Sequence, residues 1–124
     1  MKKVLFIITI FFMLIPTTMG YAKEESDFKN IVVDGEGGNY KVRGDAHIGK
    51  DYFYYSVEDG HTQYIEETKI QTGKAFGEAY PFVITISIPK KKLPKNSTLI
   101  MNLYSKTDKG VITQAHPVVL EVFE

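Results

Sequence analysis

The chain has 124 residues, of which 44% are hydrophobic, and it carries 15 basic and 15 acidic side chains. This length suits a single domain, and the absence of cysteine excludes disulfides and any thiol nucleophile. The even charge balance lacks the strong basic excess typical of nucleic-acid-binding domains, so we expect no nucleic-acid partner.

The first 22 residues have the pattern of a secretory signal peptide. Lys2 and Lys3 precede a run at residues 4–15 that is apolar except for Thr9, and Gly20 and Ala22 offer the small residues of a cleavage site. As a helix this run would rise about 18 Å, which is short of a hydrocarbon core of roughly 30 Å. We therefore expect cleavage, no stable membrane insertion afterwards and a secreted or cell-envelope location. A retained N-terminal anchor is the alternative.

Beyond the signal, apolar and polar residues alternate with a period of two, which predicts β-strands. Residues 23–30 are polar and predict a flexible leader, so the folded domain is expected to span residues 31–124. Glycine, proline and aspartate separate the segments, and no window shows a sustained helical period. We predict strands at residues 31–33, 40–48, 52–57, 62–72, 81–88, 97–105 and 111–123.

Side-chain alternation also predicts which residues of each strand share a face. In the third strand Phe53, Tyr55 and Val57 point one way, and Tyr52 and Tyr54 point the other. The same pattern predicts two further rows on a common side, which are Phe82, Ile84, Ile86 and Ile88 in one strand and Leu99, Met101 and Leu103 in the next. In the last strand it places Val118, Leu120 and Val122 on a common face.

Three local signals predict departures from regular strands. The Asp59-Gly60 pair lies between two β-prone segments and predicts a hairpin turn. The alternation fails at residues 64–67, which favours a β-bulge. His116-Pro117 interrupts the last segment and indicates an edge strand or a bend.

Seven short segments with frequent turns are typical of an all-β, immunoglobulin-like antiparallel β-sandwich of about seven strands. The ordered motifs Val42-Arg43-Gly44-Asp45-Ala46, Tyr55-Ser56-Val57-Glu58-Asp59-Gly60, Tyr80-Pro81-Phe82, Leu103-Tyr104-Ser105 and Pro117-Val118-Val119-Leu120 span most of the domain. In these motifs the chain resembles the immunoglobulin-like domain of bacterial spore germination and sporulation proteins. The resemblance covers residues 31–123. It implies protein–protein contact at the cell or spore envelope and carries over no catalytic residue.

Two surface features are candidate binding sites for a partner. Tyr52 and Tyr54 would form an outward aromatic pair, and tyrosine is enriched at protein interfaces. Lys90, Lys91 and Lys92 form the densest charge cluster, which could dock an anionic envelope surface. The alternatives are tyrosines packed under a loop or a neighbouring strand, and a solvated loop that keeps strand edges from pairing.

Residues that could support catalysis or metal binding show no recognised spacing. The three histidines, His47, His61 and His116, are too far apart in sequence for a zinc motif. No serine lies in a nucleophile elbow. The tripeptide Arg43-Gly44-Asp45 matches an adhesion motif, but it lies within a predicted strand, which disfavours adhesion through it. We therefore predict no catalytic residue, no metal ligand and no cofactor.

The sequence favours a secreted protein-interaction module whose partner is an unknown extracytoplasmic protein. The alternative is a small proteinase inhibitor that acts through a rigid loop at residues 73–80 or 90–96. An enzyme is the third hypothesis, and it would require two or more of His47, His61, Glu66 and Asp59 to converge in a pocket.

Overall fold

A computed structural model describes residues 27–72 and 79–124 of the chain. The predicted signal peptide at residues 1–22 and the first part of the predicted leader lie outside the described residues. Within them the chain forms seven strands, which are β1 Phe28–Glu36, β2 Asn39–Ala46, β3 Tyr52–Glu58, β4 Gln63–Gln71, β5 Tyr80–Ser87, β6 Thr98–Lys106 and β7 Ile112–Val122.

The strands form two stacked antiparallel sheets. One sheet has the order β1-β2-β5, and the other has the order β4-β3-β6-β7. The chain changes sheets between β2 and β3, between β4 and β5, and between β5 and β6. This topology differs from a constant-type immunoglobulin domain, because the fourth strand pairs with the third instead of joining the sheet that holds the first, second and fifth. The two stacked antiparallel sheets with seven strands nevertheless confirm the predicted all-β, immunoglobulin-like sandwich.

The core lies between the sheets and is made of alternate residues from each strand. In β5 and β6 the predicted rows are buried, because Phe82, Ile84, Ile86 and Ile88 face inward toward Leu99, Met101 and Leu103. Phe53 of β3 is fully buried, and its ring centroid lies 5.2 Å from that of Phe82 in the opposite sheet. Aromatic contact across the sandwich therefore joins the two sheets.

The structure corrects the predicted start of the domain. Phe28 belongs to β1, not to a flexible leader, and its side chain is only 1% exposed. Its ring contacts Phe53 edge-on at a centroid distance of 5.3 Å. The sequence pattern concealed this residue because a bulge follows it, between Lys29 and Val32, with Asn30 at a positive φ of 56°. The bulge interrupts the two-residue period that marks a strand.

A second correction concerns the end of β7. The alternation in sequence places Val122 on a common face with Val118 and Leu120. Those two side chains are buried, but Val122 is 55% exposed, and Phe123 packs against the core instead. The register between β6 and β7 shifts where Leu99 pairs with Glu121 and Ile100 pairs with Val119. The extra residue, Leu120, reverses the facing of every side chain that follows it.

Other irregular features occur where the sequence predicts them. The hairpin at Asp59-Gly60 joins β3 to β4, with Gly60 at φ +92°. Two register shifts between β3 and β4 place extra residues in β4, within the stretch predicted to bulge. His116-Pro117 lies in β7, an edge strand, and Arg43-Gly44-Asp45 lies in β2, the central strand of its sheet.

Candidate functional site

Tyrosine rings line the outer face of the four-stranded sheet. Tyr52 and Tyr54 alternate with buried Phe53 along β3, so they point away from the core and are half-buried. The Tyr52 and Tyr54 rings meet edge-on at a centroid distance of 5.8 Å, and Tyr54 stacks on Tyr104 of β6 at 5.8 Å with planes 22° apart. We call Tyr52, Tyr54 and Tyr104 the tyrosine face.

Lysine ammonium groups lie over these rings. The Nζ atom of Lys69 is 4.3 Å from the Tyr52 centroid, and that of Lys106 is 5.0 Å from the Tyr54 centroid. The Nζ atom of Lys50 also lies over the Tyr52 ring, 5.7 Å from its centroid. A cation over an aromatic face is attracted by the ring quadrupole, so these contacts hold the rings in one arrangement.

Glu67 of β4 fixes one side of the tyrosine face. One carboxylate oxygen accepts a hydrogen bond from the Tyr104 hydroxyl at 2.7 Å, and the other accepts one from the Lys106 ammonium at 2.7 Å. These two bonds lower the pKa of Glu67, while burial and the same carboxylate raise that of Tyr104. Tyr104 is only 5% exposed although it lies outside the core, because its neighbours on this face cover it.

Sequence reasoning identified Tyr52 and Tyr54 but missed Tyr104 and Glu67. Tyr104 alternates with the buried Leu103 in the sequence, which is a signal for an outward side chain. Its pairing with Tyr54 depends on the register between β3 and β6, which the sequence does not specify. Tyr64 and Tyr80, by contrast, are packed partly against the core and do not belong to the tyrosine face.

The predicted lysine cluster forms a surface turn that connects the two sheets. Lys90, Lys91 and Lys92 make one turn of 3₁₀ helix after Pro89, and all three side chains are exposed. Leu93 follows this turn and packs against the core, so it anchors the turn to the sandwich. We call Lys90–Lys92 the lysine turn. It lies in the connection between β5 and β6, whereas Tyr52 and Tyr54 lie on β3.

The two loops of the inhibitor hypothesis have different outcomes. Most of the loop at residues 73–80 lies outside the described residues. The loop at residues 90–96 contains the lysine turn, whose backbone is helical at Lys90–Lys92. The inhibitor hypothesis therefore stays a prediction.

Asp59 organises the hairpin turn between β3 and β4. Its carboxylate accepts hydrogen bonds from the backbone N–H groups of His61 and Thr62, at 2.9 and 2.8 Å, and from the hydroxyls of Tyr64 and Ser97, at 3.1 and 2.9 Å. The two backbone donors are the main reason that the pKa of Asp59 lies well below its ordinary value of 3.8. The bond from Ser97 ties this hairpin to the start of β6.

We expect the stability of the domain to fall in acid, partly because Asp59 becomes protonated. A carboxylate whose pKa is lower in the folded state contributes stability above its ordinary pKa, and this contribution is lost as the pH falls toward the folded-state value. Urea denaturation between about pH 6 and pH 2 should therefore show less acid dependence in Asp59→Asn than in the parent protein. Asp108→Asn, at an exposed turn, is the matched control. Equal slopes for the Asp59→Asn variant and the parent protein would show that Asp59 makes no such contribution.

Glu121 of β7 makes hydrogen bonds that join the four-stranded sheet to the three-stranded sheet. Its Oε1 atom accepts hydrogen bonds from the Gly37 N–H at 2.9 Å and from the Tyr40 hydroxyl at 2.5 Å. Burial and the bond to Glu121 raise the pKa of Tyr40 to about 12. This link exists because the bulge at Leu120 turns Glu121 inward.

The candidate catalytic residues do not form an evident reaction centre. Within residues 27–72 and 79–124, no three His, Cys, Asp or Glu side chains are close enough to hold a metal ion. His116 lies beside the Phe28 ring, at a centroid distance of 6.3 Å, and the His47 backbone N–H bonds to the Asp27 carbonyl. Asp59 and His61 share a turn, where Asp59 binds the His61 backbone N–H. The enzyme hypothesis gains no support from this geometry.

Comparison of the chain with protein-family models, curated proteins and solved structures finds no match. The resemblance to the spore germination and sporulation domain therefore stays a prediction. In the part of the chain that the structure describes, no helix is long and apolar enough to span a membrane.

Proposed function

We propose that this protein is an extracytoplasmic, immunoglobulin-like interaction module that binds a partner protein through its tyrosine face. The observation that carries this proposal is the contact among three tyrosine rings outside the core, with lysine ammonium groups over two of them. Tyrosine supplies a large contact area from a side chain with few rotatable bonds. The existing ring contacts reduce the conformational entropy that binding would cost.

The proposed location rests on separate observations. The apolar N-terminal run with its basic start supports export. The resemblance to the spore germination and sporulation domain supports a role at the cell or spore envelope. Fractionation of the native host would test the location, since recovery of the full-length chain in the cytoplasm alone would contradict export.

We expect the double variant Tyr52→Ser, Tyr54→Ser to fold normally and to lose partner binding. Both side chains point away from the core, so their removal leaves the packing between the sheets intact. Interface tyrosines that act as hot spots each cost about 2 kcal/mol or more when truncated, which is roughly a 30-fold loss in affinity. The measurement is capture of envelope proteins by the immobilised domain, followed by titration of the captured partner.

A matched control is Val32→Ser, which removes an exposed apolar side chain from the other sheet. Circular dichroism and urea denaturation should confirm that all the variants are folded. If the double variant retains partner affinity while folding normally, the tyrosine face is not the binding surface.

A further inference from the structure

The two sheets have four edges, and three of the edge strands are interrupted. β1 has a bulge after Lys29, β4 has two register shifts against β3, and β7 has two register shifts and Pro117. Such interruptions are the usual devices that prevent a sheet edge from pairing with another chain. β5 differs, because it pairs with β2 without a register shift from Tyr80 to Ser87 and contains no charged residue. Its one proline, Pro81, lies at its N-terminal end, so the free edge from Val83 to Ser87 is uninterrupted.

The register identifies the backbone groups on the free edge of β5. The N–H of Ile88 bonds to the Gly38 carbonyl at 2.7 Å, which continues the alternate bonding of β5 to β2. The backbone groups of a strand alternate between its two edges. The N–H and C=O groups of Val83, Thr85 and Ser87 therefore point away from β2. Among the described residues no strand pairs with this edge of β5.

The neighbouring strand β4 limits what can occupy this edge. β1 lies against β7 on one side of the sandwich, so the extra strand of the four-stranded sheet, β4, lies on the β5 side. Beside the end of β5 is an open cleft of ≈ 420 Å³, with Thr62 and Tyr64 on one wall and Ser87 and Pro89 on the other. A single added strand would lie about 4.8 Å from β5, which is the usual spacing between neighbouring strands. A second sandwich that paired with β5 would also bring its four-stranded sheet against β4. At this end of β5 the space therefore favours one extended segment over a second copy.

Charge at the end of β5 further defines the occupant. The lysine turn begins two residues after Ile88, and Lys92 lines the cleft. Within residues 27–72 and 79–124, Lys90, Lys91 and Lys92 make no salt bridge. An occupant with acidic residues at this end would complement them.

We propose that the free edge of β5 binds an extended peptide segment of a partner protein by strand addition. The segment runs antiparallel to β5, with an uncharged centre opposite Val83, Thr85 and Ser87 and acidic residues at its N-terminal end, beside the lysine turn. Main-chain hydrogen bonds supply affinity, and the charges set direction. This site lies on the three-stranded sheet, so it does not depend on the tyrosine face.

The first experiment measures amide hydrogen exchange by NMR on the free protein. The amides of Val83, Thr85 and Ser87 should exchange at least about tenfold faster than those of Phe82, Ile84 and Ile86, which bond to β2. Equal protection of the two sets at all protein concentrations would show that the edge is already covered, and would overturn the proposal. Protection that appears only at high protein concentration would show that a second copy is the occupant, and would also overturn it.

The second experiment titrates a probe peptide, acetyl-Asp-Asp-Thr-Val-Thr-Val-Thr-amide, and follows the same amides. We expect protection from exchange and chemical-shift changes centred on Thr85. Methylation of the peptide nitrogens whose N–H groups face β5 removes the hydrogen bonds to it and should weaken binding at least about tenfold. The peptide of reversed sequence should bind more weakly, because its acidic residues lie far from the lysine turn. Absence of any change at Val83, Thr85 and Ser87 at about millimolar peptide would overturn the proposal.

Variants of the protein provide the remaining controls. Lys91→Glu with Lys92→Glu should weaken binding of the acidic probe by about fivefold or more without affecting folding, because both side chains are exposed. Thr85→Pro removes an N–H from the free edge and should abolish binding, whereas Thr85→Val keeps this group and should bind normally. If Thr85→Pro does not fold, the methylated peptide tests the same hydrogen bonds. Unchanged binding in the charge-reversed variant would contradict the assigned direction.

Discussion

Phe28→Ala should destabilise the domain by about 3–5 kcal/mol. The Phe28 ring is 1% exposed and packs edge-on against Phe53, so its removal leaves a cavity between the sheets. Natural domains have a total stability of about 5–15 kcal/mol, so this loss is a large fraction of the whole. Thermal denaturation followed by circular dichroism should show a Tm that is lower by about 12 °C or more.

Two controls separate the effect of Phe28 from that of its neighbours. Lys29→Ala changes the next residue, which is exposed, and should leave Tm within a few degrees of the parent. A chain that begins at Ile31, where the sequence pattern predicts the domain to start, should be much less stable than one that begins at Asp27. Equal stability of these two chains would mean that Phe28 does not contribute to the core.

Gly38→Ala should destabilise the domain by about 2–4 kcal/mol, more than the same substitution at Gly60. Both glycines have positive φ, +100° at Gly38 and +92° at Gly60, so both substitutions force alanine into a strained backbone conformation. At Gly38, however, the new methyl group would overlap the backbone carbonyl oxygen of Ile88, whereas at Gly60 it would meet open space. Gly60→Ala should therefore cost only the backbone strain, about 1–2 kcal/mol.

The comparison of Gly38→Ala with Gly60→Ala isolates the close approach between β5 and the β1–β2 hairpin. Urea denaturation of both variants and of the parent gives the two differences in the free energy of unfolding. An equal loss in the free energy of unfolding for the two variants would mean that the backbone near Ile88 moves to accommodate the new methyl group. That outcome would contradict the tight packing of the hairpin on β5.

The regular strands could be predicted from sequence because one face of each strand is buried in the core and carries apolar side chains. In β5 large apolar side chains recur at every second residue, at Phe82, Ile84 and Ile86, which gives both the strand and the residues that share a face. The tyrosine pair on β3 follows from the same rule, since Phe53 must face the core. Local turn chemistry was also sufficient at Asp59-Gly60, where the short hairpin needs a glycine at positive φ.

Features that depend on bulges or on pairing between distant strands could not be predicted. One extra residue at Leu120 reverses the end of β7, and nothing in the local sequence marks that position. Phe28 was missed because a bulge separates it from the rest of β1. The contact between Tyr54 and Tyr104 needs the register of two strands about fifty residues apart, which is a property of the whole sandwich.

The link from Glu121 to Tyr40 and Gly37 bears on when the protein can fold during its synthesis. The last strand supplies Val118, Leu120 and Phe123 to the core and, through Glu121, the acceptor for the first hairpin. A nascent chain lacks these groups until β7 has been synthesised, so the sandwich cannot close before that point. A polypeptide that crosses a membrane through a narrow channel must stay extended, and a sandwich that closes only with its seventh strand would meet this requirement.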